Sequence, residues 1–446
     1  MLIQIAQFLL GLSLLIVLHE LGHFIPAKLF KTRVEKFYLF FDYKFSLIKK
    51  KIGGTTYGIG WIPLGGYVKI SGMVDESMDT ENLSKDPEPW EFRAKPAWQR
   101  LIILTGGVIV NFILAIVIYA GMMAYYGETY LKTENVTYGY DFSEELEQIG
   151  LQDGDKIISI AGERPTTYMG TRRALLVALN GEIVVDRNGT EHSFILADTI
   201  LGDVFDGDDS KILGMVEPRF PFVVDSIPEG ESVANSLGLQ KRDSVVSIND
   251  ELTLFNDQVE KALASSVGDS IKIGYYRNGE YMVSAGLMDT SGVLGVYKTH
   301  FAHYLTLSDT VYSGMAAVNA GWDKAIGTLD NYVKQIKVIF NPETGAVKKL
   351  GGFKTMMEQY DESGWNWQSF WGVTAFISIM LGFLNILPIP ALDGGHVVFT
   401  LIEMVTGRKP SIKVLEYSQM IGFFLLLALL IYANLNDFGI WDIFRS

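Results

Sequence analysis

M-L-I-Q-I-A-Q-F-L-L-G-L-S-L-L-I-V-L-H-E-L-G-H, residues 1–23, carries no charged side chain until His19 and Glu20. Eighteen uncharged residues make a membrane span the natural reading, and H-E-L-G-H is the H-E-x-x-H pattern of zinc hydrolases. On a helix, His19 and His23 face one side and can ligate one Zn²⁺, while Glu20 between them can act as general base to a water. A chance match is the bland alternative. Ionisable groups inside a span are costly, however, and are read as functional by default. The run lacks a basic leader and an A-x-A-like cleavage site, so it is expected to be a retained span.

Working outward, the 446-residue chain is 48% hydrophobic yet carries a net charge of −14. Apolar spans joined to an acidic, water-exposed portion fit that balance better than one soluble domain. The acidic balance argues against nucleic acid as a partner. There is no Cys, which excludes disulfides and thiolate ligands and leaves any metal to His and carboxylates.

Hydropathy predicts four transmembrane helices, over 1–30, 100–126, 367–396 and 417–435. The connection 31–99 is basic at both ends. Lys31, Arg33, Lys36, Lys44, Lys49, Lys50 and Lys51 open it, and Arg93 and Lys95 close it before Arg100. Arg408, Lys409 and Lys413 lie between the last two spans. The positive-inside rule then places both connections in the cytoplasm, and both termini and the acidic stretch 127–366 outside. Membrane lipids are the expected surroundings.

The outside portion contains an internal repeat. G-L-Q-D-G-D-K-I-I-S-I (150–160) returns as G-L-Q-K-R-D-S-V-V-S-I (238–248), 88 residues later. Each copy leads into an alternating strand, a helix and further strands, predicting two α+β units over 131–216 and 217–298. The pattern resembles a tandem of PDZ domains, whose grooves take extended segments by strand addition. Simple spacers are the bland alternative. Residues 302–366 follow, with Val311, Met315, Val318, Trp322, Ile326, Leu329, Val333 and Ile336 at helical spacing. This predicts an amphipathic helix outside the membrane, on its surface or packed on a neighbouring domain.

Two His and a water leave a catalytic zinc one protein ligand short. Asp393, in N-I-L-P-I-P-A-L-D-G-G-H (385–396), ends an apolar span where a bare carboxylate would be expensive. His396 is the rival ligand. Pro388 and Pro390 break the helix, which membrane proteins tolerate where the break lines a cavity. Asn385 offers both a donor and an acceptor for a substrate backbone. A simple exit turn and a solvated helix cap remain the bland readings of the Pro pair and of Asp393.

With these blocks in view the chain resembles the site-2 protease family of intramembrane zinc metalloproteases, most closely its bacterial regulator-of-sigma-E protease branch. H-E-L-G-H, I-P-L-G-G-Y-V-K (62–69), F-R-A-K-P-A-W-Q-R (92–100), G-G-V-I-V-N-F (106–112) and the 385–396 block occur in family order. The resemblance implies Zn²⁺ held by His19, His23 and Asp393, with Glu20 activating water and Asn385, Pro388 and Pro390 contacting substrate. It implies membrane-associated β-hairpins within 31–99 that present an edge to substrate. It further implies single-span membrane protein substrates such as anti-sigma factors or remnant signal peptides, cut second in regulated intramembrane proteolysis. The PDZ pair would then act as a size filter, and a bacterial inner membrane would be the home. Phe40-Phe41-Asp42 departs from the family, where G-F-G is frequent, and so does Gly351-Gly352-Phe353, where a Gly-Pro step is frequent. A metalloprotease acting at the membrane face would need a further ligand on the same helix, and the next Glu is Glu35. A non-catalytic PDZ scaffold would be expected to have lost Glu20 or a ligand.

Overall fold

Uncharged length sets the frame of the first unit of this computed structural model, which describes residues 1–73, 86–207, 209–230 and 232–440. Residues 74–85 of the expected 31–99 connection thus lie outside the described residues. The first unit comprises Met1–Gly127, Val311–Val333 and Lys348–Ser446; the second comprises Glu128–Thr310 and Lys334–Val347. In the first unit α1 (Leu2–Leu29) leads to strands β1 (Val34–Phe41), β2 (Ile48–Ile52), β3 (Thr55–Ile59) and β4 (Ile62–Ile70). Helices α2 (Ala97–Tyr125), α3 (Met315–Ile339, in this unit as far as Val333), α4 (Phe353–Glu358), α5 (Trp367–Ile386), α6 (Asp393–Thr406) and α7 (Ile412–Asp437) follow. Helices α1, α2, α5 and α7 are long and apolar enough to cross a membrane.

Small residues bring the apolar helices into backbone contact. A Cβ on Gly22 of α1 would lie 2.4 Å from the Gly106 carbonyl oxygen of α2. On α2, Asn111 gives its backbone oxygen to the Ser378 hydroxyl of α5 at 2.8 Å, and Gly382 packs beside it. The polar residues of α1, Gln4 and Gln7, are buried and donate to the carbonyls of Tyr360, Asp361 and Gly364. Each buried amide nitrogen is thereby paired.

The strands form one sheet in the order β2-β3-β1-β4, with β1 parallel to β3 and antiparallel to β4. Gly53 and Gly54, both left-handed, make the tight β2–β3 turn. Val34, Ile70 and Phe92 join Ala27, Ile103, Leu104 and Val397 in one core that seats the sheet on α1, α2 and α6. At the departure noted above, β1 slips register between Leu39 and Phe41, and Phe40 takes φ +67°. A glycine suits that backbone, and here Phe adopts it.

Two expectations require correction. Within the span predicted over 367–396 the helix ends at Ile386, just before the break expected at Pro388 and Pro390, but a separate helix, not expected, starts at Asp393. Pro388 and Pro390 lack N–H donors and disfavour helix in the residues before them. Gly394 and Gly395 permit the return, since a Cβ on either would stand 2.1–2.7 Å from the carbonyls of Leu387 and Ile389. The stretch 302–366 is not one helical region. A strand, Leu307–Thr310, pairs with Glu128–Leu131, and the helix runs only over Met315–Ile339. The Met315–Val333 part of α3 lies along other long helices: Gly321 abuts Ala120, Ala325 joins Ala115, Ile118 and Ala375, and Tyr332 meets Phe376 and Phe383 edge-on.

In the second unit, Lys156–Ile160, Gly181–Arg187 and Thr190–Leu196 form a three-stranded sheet beside the helix Tyr168–Leu176. A four-stranded sheet with the helix Asn256–Ala264 makes the next lobe. Their entry turns are built alike. Asp155 accepts from Gln152 N–H and pairs with Arg187, which also donates to the Gly150 carbonyl. Asp243 does the same with Gln240, Arg277 and Gly238. Asp155 and Asp243, the acidic residues shared by the two sequence copies, are buried and paired.

Candidate metal centre

Helical spacing puts His19 and His23 one turn apart on α1, their rings edge to face at 4.9 Å. The break after α5 then delivers Asp393 to them as the first residue of α6. His19 Nε2, His23 Nε2 and Asp393 Oδ2 form a triangle with edges of 3.2, 3.2 and 3.3 Å. The ring tautomer of His23 is set by the Ile103 carbonyl, which accepts from Nδ1 at 2.8 Å and leaves Nε2 facing Asp393.

Zinc fits this donor set. An ion bonded tetrahedrally at ~2.0–2.1 Å needs ligand atoms about 3.3–3.4 Å apart, close to the edges found. Among the described residues Asp393 Oδ2 is also buried without a hydrogen-bond partner, although two imidazole nitrogens lie within 3.3 Å. A buried carboxylate oxygen is costly in that state, and a cation at the centre would satisfy it.

The three groups open onto a cavity of about 480 Å³, lined also by Glu20, Asn385 and His396. Glu20 and Val68 line the cavity beside them. Strand β4 forms one wall through Gly65 to Ile70, and its pairing with β1 leaves its other edge without a strand among the described residues. Beyond it, Asp42 accepts from the Tyr67 hydroxyl at 2.7 Å and from Lys36 at 3.3 Å. Burial would raise the Asp42 carboxyl, but these two partners hold it below its ordinary range.

Of the sequence candidates, His19, Glu20, His23, Asp393 and Asn385 meet at this cavity. Pro388 and Pro390 do not line it. They shape the turn that presents Ala391 and Leu392, with Ala391 at φ +80°. Pro390 also receives α7, since a Cβ on Gly422 would overlap the Pro390 carbonyl oxygen. His396 lines the cavity outside the convergent triangle. His300 caps a short turn by accepting from Ala302 N–H.

Three residues escaped the sequence reading. Gly107 lies under both imidazoles, and Asn111 puts its side-chain Nδ2 3.2 Å from His19 Nδ1. Gln419 reaches the cavity from α7 and is buried. The signal for the first two was present in G-G-V-I-V-N-F. Paired glycines and a polar amide within an uncharged span need a partner helix to account for them.

Comparison with known proteins identifies the family of the chain. The pattern of peptidase family M50 matches residues 7–429. A protein of Campylobacter jejuni carrying a zinc-metalloprotease name is 27% identical over 98% of this chain and 93% of its own. A Rickettsia conorii protein named likewise is 25% identical over 98% of both chains. The regulator of sigma E protease of Haemophilus influenzae is 28% identical over 98% of both. The chain therefore belongs to peptidase family M50, the site-2 proteases, and is a membrane zinc metalloprotease.

Proposed function

We propose that this protein hydrolyses peptide bonds within the membrane segments of single-span proteins, with His19, His23 and Asp393 as its zinc ligands. The observation that carries this is the triangle of ligand atoms, open to a cavity walled by the β4 edge. Bound zinc supplies a Lewis acid that polarises the scissile carbonyl and acidifies water. Glu20 takes the proton from the attacking water and returns it to the leaving amine. A helical substrate hides its carbonyls, so the chain must hold it extended. The β4 edge offers backbone groups for strand addition, and Asn385 offers an amide to the same segment.

The charge pattern supports an inner bacterial membrane, with the basic connections cytoplasmic and the second unit and both termini outside. The two lobes of that unit are read as PDZ-like domains that exclude substrates with an untrimmed outside domain. On this reading the enzyme makes the second cut in regulated intramembrane proteolysis, on anti-sigma-factor-like proteins or remnant signal peptides.

The test measures zinc content and cleavage of a single-span substrate by purified variants. Glu20→Gln should keep zinc and lose cleavage by about 10²–10⁴-fold. His23→Ala and Asp393→Ala should lose both, and full zinc in Asp393→Ala would remove it as a ligand. Deleting residues 134–297 should admit untrimmed substrates; unchanged selectivity would end the filter reading.

A further inference from the structure

The two zinc-ligand candidates of α1 are braced differently. His23 Nδ1 faces a backbone carbonyl, that of Ile103. A carbonyl can only accept, so Nδ1 carries the proton and the Nε2 lone pair points into the site. Among the described residues no carbonyl meets His19 in this way. Its Nδ1 faces the side-chain amide of Asn111, whose Nδ2 lies 3.2 Å away. Asn111 is wholly buried, and its Oδ1 has no hydrogen-bond partner among the described residues.

In this orientation Nδ2–H would donate to Nδ1, making the His19 proton reside on Nε2. An Nε2 proton would point at His23 and Asp393 and cannot coexist with metal binding there. Rotating the amide by 180° about its Cβ–Cγ bond exchanges two atoms of nearly equal size and leaves the packing intact. Oδ1 then accepts from Nδ1–H, and the Nε2 lone pair is freed. Either orientation leaves one amide atom unpaired, so the rotation has little intrinsic cost. The gain of a zinc bond to Nε2 decides between them.

We propose that Asn111 is a positioning residue for His19: its amide oxygen accepts the Nδ1 proton and thereby holds the Nε2 lone pair on the zinc. The proposal rests on the ligand set given above. Partners that fix a metal-binding imidazole typically contribute 10- to 100-fold in metal affinity. The Asn111 backbone is engaged separately, through its carbonyl to Ser378, so side-chain changes leave that helix contact in place.

The experiment titrates the purified full-length protein with a chromophoric zinc chelator and records the visible spectrum of the Co²⁺-substituted form. Asn111→Leu removes the acceptor at similar volume, Asn111→Ala removes it without overpacking, and Asn111→Asp keeps an acceptor that cannot donate. Leu and Ala should weaken zinc about 10- to 100-fold and alter the Co²⁺ spectrum, while Asp retains affinity within about threefold or tightens it. Thermal unfolding of the metal-free forms separates this from a packing defect. Parent-like affinity in Asn111→Leu and Asn111→Ala would overturn the proposal, and so would equal losses in all three variants. His23→Ala is run in parallel. Should it retain zinc, the ligand set itself is wrong; should it lose zinc while the Asn111 variants keep theirs, only the role of Asn111 falls.

Discussion

Gly107 lies beneath His23 so closely that a Cβ at this position would stand 2.4 Å from the ring nitrogen Nε2, and 2.6 Å from Cε1 of His19. The floor of the metal site is thus bare backbone of α2. Gly107→Ala should displace both rings while leaving the apolar surface of α2 unchanged. The expected result is zinc content and affinity reduced about tenfold or more, in a protein that still inserts and purifies. Parent-like zinc affinity in this variant would show that the rings have room to spare.

The break that delivers Asp393 is tied down by a buried ion pair. Arg100 at the start of α2 meets Glu403 of α6 at 2.5 Å, both side chains about one-tenth exposed. Removing one partner leaves the other charge buried, at a cost of about 3–5 kcal/mol. Thermal unfolding in detergent should therefore place Arg100→Ala well below the parent. The double variant with Glu403→Ala should recover part of the loss. A double variant as unstable as the two single losses added together would contradict this coupling.

At its far end α7 is held by a side-chain cap. Asp437 accepts from the backbone N–H groups of Gly352 and Lys354 and from the Thr355 hydroxyl, at 2.6–2.9 Å. The two N–H groups belong to the N-cap and first turn of α4 and have no partner inside their own helix. Asp437→Ala should cost about 1 kcal/mol locally and speed hydrogen exchange over residues 350–358. Unchanged exchange there would mean that the cap is dispensable.

Between the two lobes of the second unit, Lys261 sits 2.7 Å from Glu147 and Asp153 and 3.6 Å from Asp141. Burial first, and then the Asp153 and Asp257 carboxylates, push Asp141 up to about 7, with Lys261 opposing them. The unfolded chain loses this proton near 3.9. Between about pH 4 and 7 the folded state therefore binds more protons, and stability falls as pH rises through that window. Hydrogen exchange over residues 138–160 in the full chain should be slower at about pH 5.5 than at about pH 8, after correction for intrinsic rates. Asp141→Asn should remove the difference and protect the segment at the higher pH. Faster exchange in Asp141→Asn at about pH 8 would reverse the sign and reject the argument.

Much of the site was legible because its grammar is local. His19, Glu20 and His23 occupy one helical turn, so their spacing alone places two imidazoles together. Asp393 was readable for a different reason: a carboxylate at the end of an apolar run costs too much to stand there without a cation or a donor to meet it. Pro388 and Pro390 announced a break. The new helix that begins at Asp393 was not foreseen, because Gly394 and Gly395 read as helix-weakening until the carbonyls they pack on are known. Residues 302–366 misled in a related way. The helical period of α3 shows which residues share a face, yet Gly321, Ala325 and Tyr332 choose its neighbours.

Taken alone, the sequence determined the chemistry available: two imidazoles, a base and a carboxylate among apolar spans, with no thiolate to compete. Periodicity and transfer cost act along the chain and need no partner. The tertiary structure brought Asp393, a candidate 370 residues beyond His23, within 3.2–3.3 Å of both imidazoles. It also decided that Gly107 floors the site, that Asn111 faces His19, and that the β4 edge borders the cavity. Those relations depend on how closely α1, α2 and the turn after α5 approach one another. That distance is set by small residues whose purpose shows only when the opposing backbone is in place.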